Sequence, residues 1–151
     1  MTHTAGNWSR LSIAAALAFR WDGRRRRCYF QTRPGTYNDL ALIGFLRALK
    51  RHFPGQHLIL IWDGLGGHKS GTMQRYLARQ RSWLTVERLP GYAPELNPVE
   101  QIWGNLKSRE LANLCPLDIL ALRRPLRSGF ARIRHRASLT AAFLRHAGLA
   151  F

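Results

Sequence analysis

Leu58-Ile59-Leu60-Ile61-Trp62-Asp63-Gly64-Leu65-Gly66-Gly67 is a run of large apolar residues closed by one acid and then by glycines. Such a run reads as a buried parallel strand, and its last residue projects into the crevice where open α/β sheets place their ligands. Asp63 therefore stands where chemistry is usually found. The dipeptide Asp63-Gly64 taken alone also reads as a plain turn.

Downstream, Leu89-Pro90-Gly91-Tyr92-Ala93-Pro94-Glu95-Leu96-Asn97-Pro98-Val99-Glu100 presents a second acid at the start of a helix. Asn97 as N-cap, Pro98 at the first helical position and Glu100 three residues past the cap form a capping-box pattern. Val99, Ile102, Trp103 and Leu106 then recur at helical spacing, which predicts a helix from Pro98 to Ala112 with an apolar stripe facing the core. Glu100 is a simple capping residue on one reading. The rigid, proline-punctuated approach favours another, since fixing a backbone path costs conformational freedom. Two acids so placed point to a metal site.

Around these two points the chain reads as an α/β domain. Strands at Leu11–Phe19 and Arg26–Thr32 flank a Trp21-Asp22-Gly23 turn. A helix from Asn38 to His52 follows, then the Asp63 strand, a helix from Ser70 to Gln80, a strand at Leu84–Arg88 and the Glu100 helix. Residues 1–151 are expected to form one domain, in which 123–151 is a basic tail, a connection from Arg123 to Arg136, ending in a short helix at Leu139–His146.

The segment from Asp63 to Lys107 resembles the catalytic core of mariner-superfamily transposases, in the branch found in bacterial insertion sequences. Asp63, His68, Pro90, Tyr92, Pro94, Leu96, Asn97, Pro98, Glu100, Trp103, Leu106 and Lys107 carry the likeness, with 36 residues between the two acids. A softer similarity runs from Arg10 to Leu149. Gly64 departs from the Asn common in the family, and Pro90-Gly91-Tyr92-Ala93 from its Pro-Pro-Tyr-Ser. The resemblance implies an RNase H-like mixed sheet flanked by helices. It also implies a three-acid site, Asp-Asp-Glu, holding Mg²⁺ or Mn²⁺, with Asp63 and Glu100 as catalytic ligands and His68 and Asn97 in support. His68 also reads as a surface histidine near a helix start.

The first acid of that triad has no match. The element order resembles the RNase H-like fold with its opening strand removed, a strand that lies between this chain's first strand and the Asp63 strand and carries the missing Asp. Asp22 does not replace it, because Asp-Gly is a hairpin dipeptide and the crossover through the Asn38 helix puts that turn at the far end of the sheet. A strand of seven or eight residues spans roughly 25 Å at about 3.3 Å per residue. Asp39 reads as a helix-start residue. A frameshift-fused element, a late gene start and a decayed copy each account for the gap.

Charge gives the second signal. The chain has 24 Lys plus Arg against 8 Asp plus Glu, a net charge of +16, which favours a polyanionic partner. Arg outnumbers Lys 21 to 3, which suits bidentate phosphate contacts or reflects a GC-rich coding sequence. Arg24, Arg25, Lys69, Lys107, Arg123, Arg124 and Arg127 are the candidate contacts to DNA, meaning transposon ends and target. The resemblance further implies a homodimer in the active complex. Cys28 and Cys115 stand apart from any zinc-ligand spacing, and His3, His52, His57, His135 and His146 suggest nothing specific. No apolar run reaches membrane-span length, and no signal-like start precedes Leu11, so the chain is expected in the cytoplasm, with the nucleoid. The competing class is a non-catalytic basic DNA-binding remnant that competes with a full-length transposase.

Overall fold

The computed structural model describes residues 10–64, 66–114 and 118–149; His3 and Cys115 lie outside them. Strands β1 (Leu11–Ala18) and β2 (Arg27–Pro34) form an antiparallel hairpin with Leu11 opposite Pro34 and Ala18 opposite Arg27. Asp22 shapes the turn, its Oδ1 accepting from the Arg24 amide at 3.0 Å. Leu11, Ile13, Ala15, Leu17, Cys28 and Phe30 alternate onto one face, the period-2 signature of a half-covered sheet.

That face packs under α4 (Pro98–Arg109), α5 (Arg123–His135) and α6 (Ala137–His146). Phe30 stacks on Phe130 with ring centroids 3.8 Å apart, and Trp103 meets Phe130 edge-on at 6.3 Å. Trp103 is thus a core-packing residue, as its place in the helical stripe predicts. Burial pushes the Cys28 thiol up to about 11, with the Arg134 guanidinium offsetting part of the shift.

A second core lies on the other pair of strands. β3 (Leu58–Trp62) runs parallel to β4 (Leu84–Arg88), and α2 (Gly66–Lys69) and α3 (Gly71–Ala78) make the crossover. Helix α1 (Asp39–Lys50), capped by Asn38 onto the Ala41 amide, closes this core with Ile43 and Leu46 against Trp62 and Met73. Ser70 both caps α3 and donates to Asp39 Oδ2 at 3.0 Å, tying the starts of α1 and α3 together.

The α/β class is as the sequence predicts, yet the sheet is divided: β1 pairs with β2, β3 with β4, and no ladder joins the pairs among the described residues. Consequently β3 is not buried on both faces. Trp62 is buried against α1 and α3, but Ile59 and Ile61 are 67% and 55% exposed. One helical layer covers the pair, so alternate residues face outward.

The stretch expected as a basic connection is instead the 13-residue helix α5. Leu126, Phe130 and Ile133 recur at i, i+4, i+7 and are all buried, a stripe that the interleaved arginines disguise. Pro125 is accommodated because it falls in the first turn, where its missing N–H has no partner to lose. Gly129 lets α5 approach α4: a Cβ there would clash with Leu106 Cδ2 and lie 2.9 Å from the Glu110 carboxylate. Beside it, Arg132 donates to both Glu110 oxygens at 2.6 and 2.8 Å and to Asn105 Oδ1 at 2.6 Å.

Gly129→Ala is expected to destabilise the protein by about 1–3 kcal/mol through overpacking, read as a fall in thermal midpoint. Arg132 holds the Glu110 carboxyl below its usual 4.5, so the pair's stabilisation is complete above about pH 4.5. It is lost as pH falls through the lower folded value. The stability gap between wild type and Glu110→Gln, measured by urea unfolding, should therefore narrow from neutral pH into that acid range.

Candidate functional site

Parallel pairing determines where Asp63 and the loop after β4 emerge. The ladder ends with Trp62 opposite Arg88, and one further bond, Leu89 N to Trp62 O at 2.9 Å, carries the pairing into the following loop. Asp63 and the segment leading to Glu100 thus leave the same end of the β3–β4 pair. This is the end at which parallel α/β sheets assemble sites, because every crossover returns from it.

Asp63 is held by His68. The His68 ring lies parallel to the Trp62 indole, centroids 4.0 Å apart with 3° between planes, and is only 7% exposed. Its Nδ1 sits 2.8 Å from the Asp63 carbonyl oxygen and 3.0 Å from Asp63 Oδ1. Both of those partners are acceptors, so Nδ1 carries the proton and donates. The Asp63 side chain keeps 40% of its surface open. His68 is therefore a buried orienting group, and the reading of it as a surface histidine is set aside.

Glycines allow this arrangement. A Cβ on Gly67 would sit 3.2 Å from Leu42 Cδ1, so its absence lets α2 approach α1 closely. At Gly64 a Cβ would lie 3.2 Å from Lys69 Nζ and 3.3 Å from Lys69 Cε. The departure from Asn at position 64 thus coincides with a lysine stem folded over the backbone next to Asp63.

Glu100 lies in the first turn of α4. Asn97 caps as predicted, its Oδ1 accepting from the Val99 amide at 3.1 Å. The other half of the capping box is not made, because the Asn97 amide donates to Pro94 O at 3.0 Å instead. The short 3-10 turn Pro94–Leu96 supplies that carbonyl and so releases the Glu100 side chain, which is exposed. Lys107, also exposed, follows at i+7 on the same side of α4.

Two carboxylate oxygens of this kind match Mg²⁺ or Mn²⁺ in donor type. Among the described residues no three His, Cys, Asp or Glu side chains gather into a fuller cage. All eight acids of the chain fall within those residues. Asp22 is engaged in its turn, Asp39 with Leu40 N and Ser70, Asp118 in capping Ala121 N and Glu110 with Arg132. Glu87 and Glu95 are exposed.

The candidate DNA contacts are all on the surface but on separate elements. Arg24 and Arg25 stand in the hairpin turn, Lys69 ends α2, and Arg123, Arg124 and Arg127 lie on the outer side of α5. Sequence reasoning missed the Trp62–His68 stack; the signal available was an aromatic directly before Asp63 and a histidine directly after the glycines.

No curated protein matches the chain. The family model of the DDE superfamily endonucleases matches residues 2–118, from before β1 to beyond α4, and takes in both Asp63 and Glu100. The chain belongs to the DDE superfamily of endonucleases, whose substrate is DNA.

Proposed function

We propose that the chain is the C-terminal catalytic part of a mariner-superfamily transposase of the bacterial insertion-sequence branch, one that cuts DNA strands and transfers them. Asp63 and Glu100 are its metal ligands. The observations that support this reading are Asp63 at the end of β3, oriented by His68, and Glu100 exposed in the first turn of α4 and released from its cap. Mg²⁺ or Mn²⁺ held there would supply charge stabilisation at the phosphoryl oxygens and activate water or a DNA 3′-hydroxyl. His68 keeps one Asp63 oxygen fixed by its Nδ1 proton, which holds the carboxylate in a constant orientation. Asn97 fixes the first turn from which Glu100 projects. Arg24, Arg25, Lys69, Lys107, Arg123, Arg124 and Arg127 neutralise backbone phosphates, and a homodimer brings two DNA ends together in the nucleoid.

The third acid comes from a segment outside this sequence that also supplies a strand between β1 and β3. The divided sheet supports this reading, as does the absence of a three-acid cluster among the described residues. Residues 1–151 are then a partial catalytic domain, and the chain by itself is inactive in cleavage. The same missing cluster also favours the second reading, a non-catalytic DNA-binding competitor of full-length transposase. No helix among the described residues is long and apolar enough to cross a membrane.

With the upstream segment restored, Mg²⁺-dependent nicking of end-bearing DNA is expected, and Asp63→Ala or Glu100→Ala should each lower its rate roughly a hundredfold or more. Cleavage indifferent to both substitutions would refute the site, while DNA binding with no cleavage at all would establish the competitor. The triple variant Arg123→Ala, Arg124→Ala, Arg127→Ala should flatten the plot of log affinity against log salt by about 2.7, at about 0.9 per phosphate. Fluorescence anisotropy over a salt series measures that slope.

A further inference from the structure

Tyr92 is the most exposed large hydrophobic residue among those described, fully open to solvent. Its backbone is held at φ 59°, in the left-handed region that side-chain-bearing residues avoid. Pro90 and Pro94 bracket it, and the 3-10 turn Pro94–Leu96 anchors the far side of the loop through the Asn97 amide. An aromatic ring is thus held out in water on a stiff support and in an unfavourable backbone conformation. Neither feature stabilises the folded chain, and outliers of this kind concentrate where a ligand is engaged.

The location narrows the ligand. The loop begins one residue after the β4 ladder ends beside Trp62 and finishes at the Asn97 cap of the helix that bears Glu100. Tyr92 therefore lies in the loop that leaves the strand pair at the Asp63 end and leads into the helix bearing Glu100. The surface is strongly basic and the family's substrate is DNA. A flat ring offered beside a phosphate-attracting surface matches the face of a nucleobase, and stacking of this kind tolerates any base. Bases within an intact duplex have both faces covered, whereas an unpaired base at a strand end or overhang presents free ones.

We infer that Tyr92 is a positioning residue that stacks on an unpaired nucleobase next to the cleavage position and sets the register of the strand relative to Asp63 and Glu100. This rests on the reading of the site as one that processes DNA. It adds a contact made by neither phosphate charge nor metal.

The test uses the purified chain with two short DNAs, one blunt and one carrying a single-stranded overhang that contains 2-aminopurine. Wild type should quench the 2-aminopurine fluorescence on binding. Tyr92→Ala should abolish the quenching and weaken overhang binding by roughly tenfold to a hundredfold, leaving blunt-duplex affinity and the salt slope unchanged. Tyr92→Phe and Tyr92→Trp should retain both quenching and affinity. Because the side chain is fully exposed, Tyr92→Ala should unfold at the wild-type temperature or above it. Equal quenching and affinity for wild type and Tyr92→Ala would overturn the inference, as would a Tyr92→Phe variant as weak as Tyr92→Ala, which would assign the effect to the hydroxyl. A wild-type chain with no affinity for either DNA would instead remove the DNA-processing reading beneath it.

Discussion

Parallel pairing of β3 with β4 is the constraint from which the site follows. An antiparallel partner would carry the chain away from Asp63 at the end of β4. The crossover through α2 and α3 makes the pairing parallel, and the bond from Leu89 N to Trp62 O extends it to the last residue before the loop. The crossover also brings His68 beneath Asp63. One topological choice thus sets the end from which the loop toward Glu100 leaves and the group that orients Asp63.

The rest of the chain serves to hold that end steady. Asn38 and Ser70 cap α1 and α3, and the Ser70–Asp39 bond joins the two caps, so the helices that cover Trp62 start from a common point. On the other side, the direction of α4 is fixed by its contact with α5 at Gly129 and by Arg132, which spans Glu110 and Asn105. These contacts lie one to three turns from Glu100 along the same helix. A rigid helix transmits that orientation to its first turn, so the clasp governs where the Glu100 carboxylate is aimed.

The α/β class, the strand at Leu84–Arg88, the hairpin and the Asn97–Pro98 start of α4 were all legible in the sequence, because each rests on local chemistry: period-2 alternation, Asp-Gly in a turn, or an Asn cap before proline. What could not be read depends on distant packing. The burial of His68 requires the Trp62 indole as a stacking surface, and residues six apart that meet across a glycine loop show no periodicity. Helix α5 was hidden because Arg123, Arg124, Arg127, Arg132 and Arg134 suggest a solvated segment, whereas its core stripe consists of only Leu126, Phe130 and Ile133. The outward exposure of Ile59 and Ile61 was illegible for the opposite reason: a continuous apolar run predicts two covered faces, and the fold covers one.

The basic excess divides into two populations once the structure is considered. Arg132 is half-buried and bound to a carboxylate, and Arg134 donates to Cys28 O at 2.8 Å with its guanidinium 5.0 Å from the Phe30 ring. Neither is free to meet a phosphate without loosening the first core. Arg123, Arg124 and Arg127 share that same helix and lie on its exposed side. A net charge of +16 therefore overstates the cations available to a polyanion. The helix uses arginine in two ways: a planar fork that satisfies several acceptors where α5 meets the rest of the protein, and a mobile charge where it meets water. Replacing the first kind acts on stability and replacing the second acts on binding, although the residue type and the helix are the same.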